Sequence, residues 1–127
     1  MPRAKRKTAD DTNHQEYVYV LADRIRAAMS RGHVTEKRMF GGVTFLVNGN
    51  MLCTAFKQGL MVRIGLEAEA AALSRPSVRA PSKTRKMPGF VFIEKEGIVR
   101  NAALARWIAK ARAYVDQLEP KTTQAKR

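Results

Sequence analysis

Val18, Leu21, Ile25, Ala28 and Met29 recur at three- and four-residue steps, so the spacing predicts an amphipathic helix over residues 13–30. Thr12 followed by Gln15 fits a capping box at its start, and Gly32 is placed to stop it. The period then changes. Val43, Phe45 and Val47 alternate with Thr44 and Leu46, the two-residue repeat of a strand. Asn48-Gly49-Asn50 follows, and Asn and Gly accept the positive φ that a tight hairpin needs. Whether the loop is Asn48-Gly49 or Gly49-Asn50, odd residues of the first strand face even residues of the second. Val43, Phe45 and Val47 are therefore expected to share a face with Leu52, Thr54 and Phe56. At the next turn a two-residue loop, Gln58-Gly59, would put the apolar sets on opposite faces. A three-residue loop, Lys57 to Gly59, sets Phe56 against Leu60, Thr54 against Val62 and Leu52 against Ile64. A one-residue slip inverts a strand's faces, so the three-residue loop is preferred.

Residues 66–74, LEAEAAALS, are good helix formers. Residues 75–89 hold Pro76, Pro81 and Pro88 and read as irregular. FVFIE at 90–94 reads as a strand, KEG at 95–97 as a turn, and IVR as a further short strand. Asn101 can cap a last helix with a stripe of Leu104, Trp107, Ile108, Ala111, Val115 and Leu118. A meander with one apolar face needs a cover, and amphipathic helices supply it. The expected fold is α+β: a two-layer sandwich in which an antiparallel sheet, three-stranded meander plus one or two strands, is covered by the N- and C-terminal helices. Residues 1–11 and 119–127 read as loose charged tails around a single domain, 12–118.

Composition adds charge to this picture. Among 127 residues, 24 Lys and Arg stand against 11 Asp and Glu, a net charge of +13. Most of the surplus lies between the tails, so the body itself is basic. Such a surface attracts polyanions by counterion release and long-range steering. No apolar run is long enough to cross a bilayer, and the basic N-terminus has no apolar segment behind it, so no membrane or secretory role is expected. Cys53 is the only cysteine, which excludes an intrachain disulfide and fits a reducing cytoplasm.

The glycines of KRMFGGVTFLVNGNMLC are not a phosphate loop: they precede one strand and separate two, instead of linking a strand to a helix. Gly41 and Gly42 mark a bulge or a crowded backbone approach. Cys53 with two scattered histidines, His14 and His33, gives neither a nucleophile-base pair nor zinc spacing. Glu67/Glu69 and Glu94/Glu96 read as solvated pairs. No cofactor is expected. The loop RPSVRAPSKTRK is the strongest candidate contact, with Arg75, Arg79, Lys83, Arg85 and Lys86 and no acid among them. If all five met phosphates of duplex DNA, log K against log salt would fall with a slope of about −4.5. Arg106, Lys110 and Arg112 could extend the patch. The alternative is a solvated loop. A second candidate is the face opposite the core, where Leu46, Met51, Cys53, Ala55 and Met61 would form an apolar patch for a protein partner or a second copy of the chain. Cover by the tails or the 75–89 loop is the competing reading there.

RMFGGVTFLVNGNMLC, then GLMVRIG and MPGFVFIE, resembles the N-terminal domain of the TfoX/Sxy proteins, bacterial regulators of competence and DNA uptake. The likeness runs from Tyr17 to Leu118. Its most specific elements are Arg38-Met39-Phe40-Gly41-Gly42, the Asn48-Gly49-Asn50 turn, and Leu60 through Gly65. It implies an antiparallel α+β fold and a regulatory, non-enzymatic role tied to transcription, with no catalytic residue to carry over. Longer members have a second, helical C-terminal domain; this chain ends before one could begin, so a single-domain member is expected. Two functions follow as expectations: charge-driven engagement of nucleic acid or the transcription machinery, or a protein-interaction module using the sheet face.

Overall fold

The apolar stripes of the first and last helices meet on one side of a six-stranded sheet. The computed structural model describes residues 3–29 and 34–121, with side chains from residue 15 onward. The helices are α1, Arg3–Ala28; α2, Leu66–Leu73; and α3, Asn101–Val115. The strands are β1, Val34–Met39; β2, Gly42–Val47; β3, Asn50–Phe56; β4, Gly59–Arg63; β5, Val78–Arg79; and β6, Phe90–Glu94. All pairs are antiparallel, in the order β1-β2-β3-β4-β6-β5. Leu21 and Ile25 of α1 and Leu104, Ile108 and Val115 of α3 are buried against Phe45, Leu60, Val62 and Ile93 of the sheet. Each such side chain contributes about 1.5–3 kcal/mol by leaving water. The expected two-layer α+β architecture is what forms.

The register departs from expectation in β3, and the cause is local. β2 and β3 are joined by the two-residue loop Asn48-Gly49, so Val47 pairs with Asn50 and Leu46 with Met51. Phe45 then pairs with Cys53, not Leu52, because the register shifts there by one residue. A bulge of this kind lets two residues of one strand oppose one of its partner. Leu52 and Cys53 both enter the core, and Ala55 follows them. Thr54 and Phe56 fall on the outer face. The next turn is also a two-residue loop, Lys57-Gln58, which pairs Phe56 with Gly59 and Ala55 with Leu60. The expected pairs Phe56–Leu60, Thr54–Val62 and Leu52–Ile64 do not form. The two slips cancel between β2 and β4, so Val43, Phe45 and Val47 still share the core with Leu60, Val62 and Ile64. Phe45 and Phe56, expected on one face, point to opposite faces.

Four further differences have plain causes. β1 is a polar edge strand, VTEKRM, with no apolar alternation to announce it. α1 begins at Arg3, so Thr12 and Gln15 lie within it instead of capping it; no glycine or proline interrupts residues 3–11. Residues 98–100 add no strand, since β4 and β5 already occupy both sides of β6; Lys95–Ile98 form a 3-10 turn that buries Ile98. Asn101 is the first residue of α3 and not its cap. Its Oδ1 accepts from Arg24 Nε at 2.8 Å, while Arg24 Nη2 donates to the carbonyls of Ile98 at 2.7 Å and Val99 at 3.1 Å. The expected stop at Gly32 lies outside the described residues. At the other end, Lys121 N–H donates to the Asn48 carbonyl at 2.8 Å and the Asn50 side chain to Glu119 O at 2.9 Å. Residues 119–121, expected in a loose tail, are thereby held against the Asn48-Gly49 turn.

Candidate functional site

The Arg38-Met39-Phe40-Gly41-Gly42 stretch holds the first hairpin turn of the sheet, between β1 and β2. Met39 pairs with Gly42, which leaves Phe40 and Gly41 as the loop, at φ 56 and 79. Positive φ at both central positions is the type I′ pattern, and Asn48 and Gly49 repeat it at φ 52 and 82. Gly42 serves another purpose. A Cβ there would lie 2.2 Å from the Ala55 carbonyl oxygen and 3.3 Å from the Phe56 ring. The crowded approach expected of Gly42 is present; at Gly41 the requirement is the turn. Lacking a side chain, Gly42 lets β3 close up and leaves room for the Phe56 ring on the outer face.

That outer face carries Thr44, Leu46, Met51, Thr54, Phe56, Met61 and Phe92. Cys53 and Ala55, expected in its patch, are on the core side because of the bulge. Cys53 is fully buried, and burial holds its thiol far above the ordinary range, so it is neither reachable nor a thiolate. Leu46 and Met51 are half-buried, and Met61 is buried. The face is not wholly bare: Pro81, Arg85 and Met87 of the loop stand beside Phe56, Met61 and Phe92. Between them lies a cleft of about 400 Å³ lined by Phe40, Phe56, Met61, Phe92, Met87, Pro81, Gln58, Arg79 and Arg85. No acidic residue lines it.

The five loop cations do not act alike. Arg75 turns to the helical layer, its guanidinium 5.6 Å from the Trp107 ring centre. There it shares a separate cleft of about 390 Å³ with Arg106 and Lys110, whereas Arg112 pairs with Asp116 at 3.0 Å. Arg79 lies 4.3 Å over the Phe92 ring and pairs with Glu94 at 2.9 Å. Glu94 is thus engaged, as is Glu69, which accepts the Gly89 N–H at 3.2 Å; neither is the merely solvated carboxylate its spacing implied. Lys83, Arg85 and Lys86 remain exposed, and among the described residues their side chains have no acidic partner. They line a cleft of about 520 Å³ between the loop and α2, and Arg85 also reaches the outer-face cleft. Ser82 Oγ accepts the backbone N–H groups of Thr84 and Arg85 at 3.2 and 3.1 Å, which shapes the loop tip that presents these cations.

Sequence reasoning missed Phe40 as an exposed side chain, although its place before a glycine pair was visible. It also missed the outer-face role of Phe56, which the bulge decides, and of Phe92, which the pairing of β6 with β4 sets opposite Met61. Among the described residues, no group of three or more His, Cys, Asp and Glu is placed to hold a metal, and no helix is long and apolar enough to cross a membrane. His33 and the side chain of His14 lie outside the described residues.

No curated protein and no solved structure matches this chain. A family match does exist, to the TfoX N-terminal domain, over residues 26–114. It begins near the end of α1 and ends within α3, so it takes in the whole sheet, both type I′ turns and the basic loop. The resemblance carried by the glycine-pair turn and the strands around it is thereby a membership: the chain belongs to the TfoX N-terminal domain family.

Proposed function

We propose that this domain is a non-enzymatic regulatory module that engages nucleic acid through the tip of its basic loop. The observation that carries the reading is the unpaired state, among the described residues, of Lys83, Arg85 and Lys86, on a proline-bounded loop of a protein with net charge +13. Cations without carboxylate partners keep their full attraction for phosphates. The family's link to regulation of competence and DNA uptake agrees with a nucleic-acid partner. The burial of Cys53 speaks against an enzyme that uses this thiol as its nucleophile.

The charge is presented without a recognition helix, so the binding is of the backbone and not of base sequence in duplex DNA. The informative variant is Arg85→Glu/Lys86→Glu. Arg79 is left intact, since reversing it would set two carboxylates side by side at Glu94. In a gel shift at low salt the double variant is expected to lose retention of DNA; retention equal to that of the parent chain removes the loop as the contact.

A further inference from the structure

The two type I′ turns of this sheet are made differently. Asn48-Gly49 is the pair such a turn favours. Phe40-Gly41 places a bulky ring at φ 56, where a large side chain is a rare outlier. Nothing in the turn compensates, because Phe40 is 63% exposed and its ring is not buried in a core. A strained, exposed aromatic held in place by rigid strands is the kind of outlier that points to function. Beside it the Phe56 ring lies half-buried, made possible by the missing side chain of Gly42. Arg85, without an acidic partner, stands at the same cleft, and no carboxylate opposes it.

Ring faces and a free guanidinium in one cleft call for a ligand that is flat and anionic at once. A nucleotide is both. Duplex DNA hides its base faces in the stack, so only an unpaired strand can offer them to Phe40. The cleft, about 400 Å³, lies in the range that admits small ring systems, not a helix. The geometry points to Phe40, Phe56 and Arg85 as a stacking site for single-stranded nucleic acid, with bases on the rings and phosphates along Lys83, Arg85 and Lys86. This rests on the charge-driven reading above and narrows it to unpaired strands.

The test is fluorescence anisotropy of the full chain with labelled oligonucleotides of about ten nucleotides. Single-stranded DNA, RNA of the same sequence and the corresponding duplex are compared, and the DNA and RNA arms tell which strand is preferred. Phe40→Asn restores the favoured turn pair, so it is expected to melt higher than the parent, and lost binding then cannot be blamed on unfolding. Single strands should bind more tightly than duplex, and Phe40→Asn should weaken single-strand binding by about 5- to 150-fold, the loss of one stacked base, while leaving duplex binding unchanged. Arg85→Glu/Lys86→Glu should weaken both. Unchanged single-strand affinity in Phe40→Asn, or duplex binding as tight as single-strand binding, overturns the stacking site and leaves the charge-driven reading standing. Absence of any binding at low salt overturns both. A dimer in light scattering that dissociates in Phe40→Asn, with no preference for single strands, overturns it in favour of a second copy of the chain.

Discussion

Thr44 and Thr54 face each other on the outer side of the sheet, both fully buried, and their hydroxyls share one hydrogen bond of 2.8 Å. The alternating pattern marked Thr44 as outward but placed Thr54 inward; the bulge at Leu52–Cys53 brings them opposite. Removing one partner leaves a buried hydroxyl unsatisfied, whereas removing both does not. Thr44→Val is accordingly expected to cost about 1–3 kcal/mol in urea unfolding, and Thr44→Val/Thr54→Val to recover most of it. A cost of the double variant equal to the sum of the two single costs would show that the pair is not coupled. Phe40 is the opposite case, a residue whose cost is local. Left-handed backbone at a residue with a Cβ costs roughly 1–2 kcal/mol, and the exposed ring offsets little of it.

Between elements, the contacts that place β1 are polar. Arg26 at the end of α1 donates Nε to Glu36 Oε2 at 2.5 Å and Nη2 to Oε1 at 2.8 Å, and also pairs with Asp23. Arg38 on the same strand donates to the Tyr19 hydroxyl. These two clamps fix a strand whose own side chains bury little. The hydrogen bonds from Arg26 hold the Glu36 carboxyl below its ordinary value of 4.5. A depressed carboxylate contributes stability above its ordinary value and loses it as pH falls through the lowered one. The pair is roughly half exposed, so solvent screening keeps its worth to about 0.2–1 kcal/mol. Melting of the parent chain and of Glu36→Gln should therefore differ at neutral pH and converge as pH is lowered below about 4.5. A constant gap down to strong acid would mean that Glu36 acts by packing.

The cations on this molecule are sorted by its fold. Of the five in the loop, Arg75 is stacked on Trp107 and Arg79 is paired with Glu94, which leaves three at the tip. If those three carry the binding, the slope of log K against log salt should be about −2.7 for duplex and about −2.1 for a single strand. That is well short of the −4.5 that all five would give on duplex DNA. A measured duplex slope near the larger value would return Arg75 and Arg79 to the interface.

The helical stripes, the Asn48-Gly49 turn, strand β6 and the α+β architecture were legible in the chain, because each is a short-range pattern: a period of 3.6, a period of 2, or a turn residue. The family turn was legible as a motif, though not the exposure of Phe40 within it. What the tertiary structure alone decided is which way β3 faces and what each cation meets. Alternation carries no mark of a bulge when both residues, Leu52 and Cys53, are apolar. Nor can a row of arginines show that Trp107 and Glu94 will lie beside two of them, since those partners come from elements distant in the chain and meet only when the sheet closes.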